Sequence, residues 1–357
     1  MASSSVSRRL LDLLGIDLPI VQAPMAGTST PELAAAVSNA GGLGSIGVGA
    51  MTAKAAGDAI AAFRARSSRS LNINVFCHRP AQPDPARESA WLERLRPEFE
   101  AVKGTAPTGL KEVYKSFLAD EPMFSTILTA KPKVVSFHFG LPSSEWIRAL
   151  REAGIILLGT ATNLAEAKAN VAAGVQVVVA QGYEAGGHRG TFDPDAPDDQ
   201  LGTFALTRLL TRSLEVPVIA AGGVMDGHGI AAAMRLGAAA AQLGTAFVGT
   251  DESAADAGYR AALFSDAASH TVMTRAISGR PARCLANRFT ALGARVSPSD
   301  IPTYPIAYDA GKSLNAAAKA VGEAGFGAQW AGQGAPLARS LPASKLVAAL
   351  VDELKSI

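Results

Sequence analysis

Only two cysteines, Cys77 and Cys284, occur in the 357 residues. Two thiols are too few for an iron–sulfur cluster, which takes about four thiolates, and their separation fits neither a zinc motif nor a disulfide framework. An excess of one charge is also missing. The formal net charge is +2, so no strong field draws the chain to nucleic acid or to an anionic membrane. Aromatic residues make up 6% of the chain, which argues against a base-stacking surface. Long apolar runs are lacking as well. The stretch Ala231 to Ala241 is broken by Arg235 with glycine beside it, and no segment approaches the roughly 20 residues that span a bilayer. At the N-terminus Arg8 and Arg9 precede Leu10 to Leu14, but Asp12 and Asp17 interrupt the run and no small-residue cleavage site follows. It reads as a short amphipathic helix and not a signal, so the protein is expected to be soluble and cytoplasmic.

What is present is core. Hydrophobic residues reach 48% against 18% charged, with 35 glycines suited to close helix-on-strand packing. Short β-branched runs alternate with alanine-rich helical segments, the pattern of repeated βα units. Strands are expected at Ile20 to Ala23, Leu43 to Val48, Leu71 to Phe76, Val134 to Phe139, Ile155 to Leu158, Val177 to Gln181, Pro217 to Ala221 and Ala240 to Leu243. Eight such units point to an α/β fold, a closed (β/α)8 TIM-type barrel, whose usual size is about 250 residues. The surplus is then insertion. The reading places the barrel at 1–250, with an insertion at about 79–132 holding helices around Ala86 to Val102 and near Leu110 to Leu118. A helical subdomain over 251–334 would cap the substrate pocket, and a last helix within 335–357 would return to the barrel. An open doubly wound sheet is the alternative, but no Gly-x-Gly-x-x-Gly turn follows the first strand.

In such a barrel the active site lies at the C-terminal strand ends. Counting by two along the strands places Asn74, His138 and Gln181 on the barrel-facing side near the top. Beyond Gln181 runs a loop rich in glycine, with Gly182, Gly186, Gly187 and Gly190 around His188 and Arg189. A site and a mobile turn are both open readings of that loop alone. Gly222-Gly223 after the seventh strand and Gly244-Thr245 after the eighth offer backbone N–H groups to an anion, the usual place of a phosphate in this fold. With an amide side chain such as Gln181 or Asn74 nearby, the site would suit a flavin ring with one terminal phosphate.

Several segments carry a family resemblance: QAPMAG at Gln22 to Gly27, SFHFGLP at Ser136 to Pro142, GTATNLAEA at Gly159 to Ala167, QGYEAGGHRGTF at Gln181 to Phe192, and the later AAGGVMDG and QLGTAF. They are similar to the motifs of the nitronate monooxygenases, class I type, over the whole barrel. The resemblance implies noncovalent FMN, no metal, and oxidation of alkyl nitronates by O2 to a carbonyl compound and nitrite through a flavin semiquinone. Propionate 3-nitronate is the substrate it suggests, with detoxification as the role. Carried over by position, Asn74, Gln181, Gly186, Gly187, Gly222, Gly223, Gln242, Leu243, Gly244 and Thr245 would hold FMN, with Ala23, Pro24 and Met25 under its ring. His188 matches the family's active-site histidine and His138 the second one, while Tyr259, Tyr304, Tyr308 and Lys312 would cap the pocket and bind substrate. The rival readings are an FMN-dependent NAD(P)H reductase of quinone or enoyl-acyl-carrier-protein type, a barrel enzyme holding a phosphorylated substrate, and a non-catalytic flavin carrier. The oligomeric state is left open.

Overall fold

A computed structural model describes residues 5–357. Its main sheet comprises β1 (Ile20–Gln22), β2 (Gly44–Gly47), β3 (Leu71–Phe76), β4 (Val134–His138), β5 (Ile156–Ala161), β6 (Val177–Gln181), β8 (Val218–Ala221) and β9 (Ala240–Leu243), all parallel, in the order β1-β9-β8-β6-β5-β4-β3-β2. The two edges meet. Leu43 donates to Ile20 O at 2.9 Å and accepts from Gln22 N at 2.9 Å, which closes the sheet into a barrel and removes its free edges.

The inward face of each strand records depth. Reading upward, β4 presents Val134, Ser136 and His138, β5 presents Ile156, Leu158 and Thr160, and β6 presents Val177, Val179 and Gln181. The first position of each is apolar and the last is polar, with Ser136 between them in β4, so period-two alternation delivers a polar group at the top of each of these strands. The intervening residues Ile73, Val75, Val135 and Phe137 face outward onto α3 (Ala53–Arg64), α5 (Glu121–Ala130) and α6 (Ser144–Glu152). Helix α1 (Ser5–Leu14) closes the bottom, where Leu10 and Leu14 are fully buried against Val21, Val177 and Ile219. Burying each leucine contributes about 1.5–3 kcal/mol.

The helices begin where the chain offers side-chain acceptors. Thr30 caps α2 (Pro31–Asn39), Asp84 caps α4 (Pro85–Ala101), Asn163 caps α7 (Leu164–Ala172) and Asp226 caps α9 (Gly227–Arg235), each accepting from a first-turn N–H. The helix expected near Leu110 to Leu118 is not there. That stretch is irregular up to a short 3₁₀ turn at Phe117–Ala119, and α5 starts only where Asp120 accepts from Met123 N with Pro122 in the first turn. Helix α14 (Ala343–Lys355) packs against α2 and α9 and fills the last place in the outer ring.

Above the barrel a second core forms. Trp91, Leu95 and Phe99 of α4 pack with Phe289 of α12 (Arg288–Gly293), Leu314 of α13 (Ile306–Ala320) and Phe326. The first insertion and the segment after β9 therefore share one apolar interior. A small antiparallel sheet ties that interior to the barrel loop: β10 (Thr271–Thr274) pairs with β11 (Ala282–Leu285), which pairs with β7 (Gly187–His188). No helix among the described residues is long and apolar enough to cross a membrane.

Candidate active site

Two adjoining cavities lie over the C-terminal strand ends, an inner one of about 170 Å³ and an outer one of about 690 Å³. Ala26, Thr28, Tyr114, Tyr259, Tyr308 and Trp330 line both and form the passage between them. Of the residues singled out from sequence, Ala23, Pro24, Met25, Asn74, His138, Gln181, Gly186, Gly187 and His188 line the inner cavity. So do Gly222, Gly223, Gln242, Gly244, Thr245, Tyr259 and Tyr308. Three do not. Leu243 is buried in the core with its carbonyl accepting from Ala23 N at 2.8 Å. Tyr304 is buried beside His188, ring centroids 5.3 Å apart, and Lys312 lines the outer cavity.

His188 is held from both sides. As part of β7 it pairs with Ala282, and its carbonyl accepts from Gln181 Nε2 at 3.0 Å and from His138 Nε2 at 3.2 Å. Gln181 Oε1 also accepts from Gly190 N at 2.7 Å, so both ends of this amide are used to shape the loop. His138 is likewise engaged at both nitrogens, because its Nδ1 lies 3.1 Å from Thr160 Oγ1. A carbonyl only accepts, so His138 carries its proton on Nε2 and takes the threonine hydroxyl proton at Nδ1. Arg189 turns away from the cavity. Its guanidinium makes a bidentate pair with Asp198 at 2.8 and 2.9 Å and donates to Gln181 O at 2.6 Å, locking the loop to the strand end. Of the two readings that the sequence left open for this loop, a site or a mobile turn, the bracing contacts favour the site.

Aromatic rings surround the His188 imidazole: Trp330 at 5.0 Å, Tyr304 at 5.3 Å, Phe139 at 5.7 Å and Tyr308 at 6.2 Å between centroids. Burial, with His138 and the nearby Arg280 guanidinium adding to it, pushes the His188 pKa down to about 3. Burial and Arg280 bring His138 and His78 to about 4. All three are neutral near pH 7. Arg280 is 2% exposed, stacks over the Phe139 ring at 4.1 Å and donates to Thr191 O, yet has no carboxylate partner among the described residues. Burial lowers its pKa to about 10, so it stays cationic. Lys312 is half-buried with Nζ 4.4 Å from the Tyr114 ring centroid, and burial lowers its pKa against the opposing pull of Asp309.

Another part of the inner cavity's wall is backbone. Gly222 and Gly223 have φ of +120° and +72°, a region that L side chains avoid, and a Cβ at Gly222 would come within 2.7 Å of Thr203 Oγ1. Glu184, a carboxylate beside Gly223, is turned to the N-terminus of α8 (Thr203–Ser213), where it accepts from Thr203 N at 2.7 Å and Thr203 Oγ1 at 2.8 Å. Thr245 Oγ1 accepts from Gly332 N at 3.0 Å and joins the loop after the cap to the cradle. Between cradle and histidine, Asn74 Nδ2 donates to Ser136 O and Oγ at 3.1 and 2.9 Å, and the Gln242 amide has no partner among the described residues. A backbone cradle, a free amide and an apolar floor of Ala23, Val179 and Ala221 fit a flat heterocycle carrying a phosphate.

Tyr114, Trp330, Ser278 and Arg280 did not stand out in the sequence. Tyr114 sits in the irregular part of the first insertion and Trp330 in a loop, so neither has a periodic pattern around it. The turn tetrapeptide Ser278-Gly279-Arg280-Pro281 just before a short apolar strand was the available signal for the other two.

A parallel barrel with its polar side chains gathered over the strand C-termini is the arrangement of a (β/α)8 enzyme. The chain belongs to the nitronate monooxygenase family, whose model matches residues 7–353. It is 63% identical to a nitronate monooxygenase of Paraburkholderia phytofirmans over 99% of this chain and 97% of that one. It is 52% identical to a nitronate monooxygenase of Pseudomonas aeruginosa over 97% of this chain and 99% of the relative. Among solved structures, nitroalkane oxidase from Streptomyces ansochromogenes superposes with a TM-score of 0.88 at 41% identity, covering 97% of this chain and 98% of that one. The protein is thus an oxidoreductase of this family.

Proposed function

We propose that the protein oxidises alkyl nitronates with O2, using FMN held in the inner cavity, and yields a carbonyl compound and nitrite. The observation that carries this reading is a neutral, aromatic-walled His188 lining the same cavity as a glycine backbone cradle. The backbone at Gly222, Gly223 and Gly244 would take the FMN phosphate, Gln242 and Asn74 the polar edges of its ring, and Ala23, Pro24 and Met25 the ring face. When bound, the flavin supplies the electron transfer between nitronate and oxygen.

The chain's own residues do the positioning. His188 meets the nitro group or its α proton, Tyr308 and Trp330 exclude water, and His138 with Gln181 holds the His188 backbone. The buried Arg280 charge supplies positive potential without itself reaching the cavity. Lys312, at the outer cavity, suits the carboxylate of a substrate such as propionate 3-nitronate. A His188→Asn variant should retain FMN and lose at least about a hundredfold in nitronate turnover. Full turnover in that variant with flavin bound would overturn the assignment.

A further inference from the structure

Ser278 contacts the imidazole that the proposed function places against substrate, and its bonds decide which imidazole nitrogen carries the proton. Its Oγ lies 2.9 Å from His188 Nε2 and 3.2 Å from the carbonyl oxygen of Arg280. The hydroxyl has one proton and two possible acceptors. Arg280 O is buried in a residue 2% exposed, and among the described residues only the Ser278 hydroxyl reaches it as a donor. A buried carbonyl left without a donor is costly, so the proton goes there. Ser278 Oγ then has only lone pairs for His188. The Arg280 N–H, 3.4 Å from the same oxygen, takes another of its acceptor directions and favours the same polarity.

The turn itself is built for this contact. Gly279 has φ of +91°, and a Cβ there would lie 2.5 Å from Pro302 O and 2.6 Å from Tyr304 N, so the backbone folds tightly against the segment that carries Tyr304. Ser278 is 1% exposed within that fold. On the other side of the ring, His188 Nδ1 has no hydrogen-bond partner among the described residues and is not an enclosed atom, while the residue lines the inner cavity. The free nitrogen therefore opens on the ligand space.

We propose that Ser278 is a positioning residue that fixes His188 as the Nε2–H tautomer and leaves the Nδ1 lone pair facing the ligand. His188 then offers an acceptor and not a donor to an incoming molecule. A neutral nitroalkane gives its α proton to Nδ1, leaving the electron pair on the nitronate and a proton on the imidazole. A nitronate arriving already ionised binds with one proton taken from solvent at the same nitrogen. Both routes end in the same pair, an imidazolium hydrogen-bonded to a nitronate oxygen. The low His188 pKa keeps Nδ1 unprotonated until the anion is present. This step rests on His188 being the residue that meets substrate, but the tautomer can be read without any turnover.

The test is nitrogen NMR of histidine-labelled protein. With five histidines in the chain, the signals are assigned by single His→Gln replacements. In the FMN-loaded wild type, His188 should show Nε2 protonated and Nδ1 unprotonated at neutral pH. Ser278→Ala should convert that into a mixture or the other tautomer and lower nitronate turnover about tenfold or more. Ser278→Thr, which keeps the hydroxyl, should restore both. A wild-type His188 protonated at Nδ1, or an alanine variant with an unchanged tautomer, overturns the proposal. Absence of oxygen uptake with nitronate in a wild type showing the expected tautomer would instead count against the proposed function alone.

Discussion

At the scale of single residues, the site separates charge from contact. His188 touches the ligand space and is neutral, whereas the cation, Arg280, sits behind Phe139 and reaches the histidines only through its field. Replacing Arg280 by Met should therefore raise the pKa values of His138 and His188 toward their ordinary range, measurable by NMR titration, and raise the KM for nitronate more than it lowers kcat. Unchanged histidine titrations in a folded variant would remove Arg280 from the electrostatic account. Sequence reasoning found His138, Asn74 and Gln181 because strand periodicity marks which residues point inward and how high, and His188 through the glycine-rich loop after Gln181 and the family resemblance that the loop carries. It could not see that both ends of Gln181 are spent on the 188–190 loop, since that depends on how the loop folds back. The turn around Ser278 and Arg280 leaves a local signal, but their place at the site does not show in it, because their side chains reach His188 and Thr191 across about ninety residues of separation, which no local pattern encodes.

At the scale of elements, the eight barrel strands and their helices were legible because each βα unit repeats the same local signals: a β-branched run, a turn, a capping side chain. The helix expected near Leu110 to Leu118 failed where those signals are weak, and the Asp120 cap with Pro122 places the start later. The partnership of α4 with α13 was not legible either, because an amphipathic face does not name its partner. Helix α1 offers a test of element and site as separable parts. Leu14→Ala removes a fully buried side chain from the barrel floor and should cost about 2–5 kcal/mol of stability. Measured by denaturant midpoint, that loss should come with near-normal turnover at low temperature, because the site lies at the other end of the strands. Loss of FMN binding in the folded variant would show that floor and site are coupled.

At the scale of the whole molecule, three histidines set an acid limit, His78 buried and His138 and His188 half-buried. Burial holds the pKa of His78 and His138 down to about 4 and that of His188 to about 3, below the ordinary histidine value of about 6.5. As pH falls below 6.5 the unfolded chain takes up protons that the folded chain refuses, so stability is complete above that value and drains away on the acid side. Each histidine contributes a slope of up to about 1.4 kcal/mol per pH unit. Urea midpoints should fall steadily from pH 6.5 toward 4, and a His78→Gln variant should show a shallower fall. Midpoints that stay level across that window would mean that the histidines accept protons in place.

The measurement that bears most directly on the whole account is oxygen consumption after adding propionate 3-nitronate to the FMN-loaded protein with no nicotinamide present. Immediate uptake accompanied by nitrite release is the predicted result. A flavin that stays inert to nitronate under air but is bleached by NADH or NADPH without oxygen would contradict it, and would make the cavity that of a nicotinamide-dependent reductase.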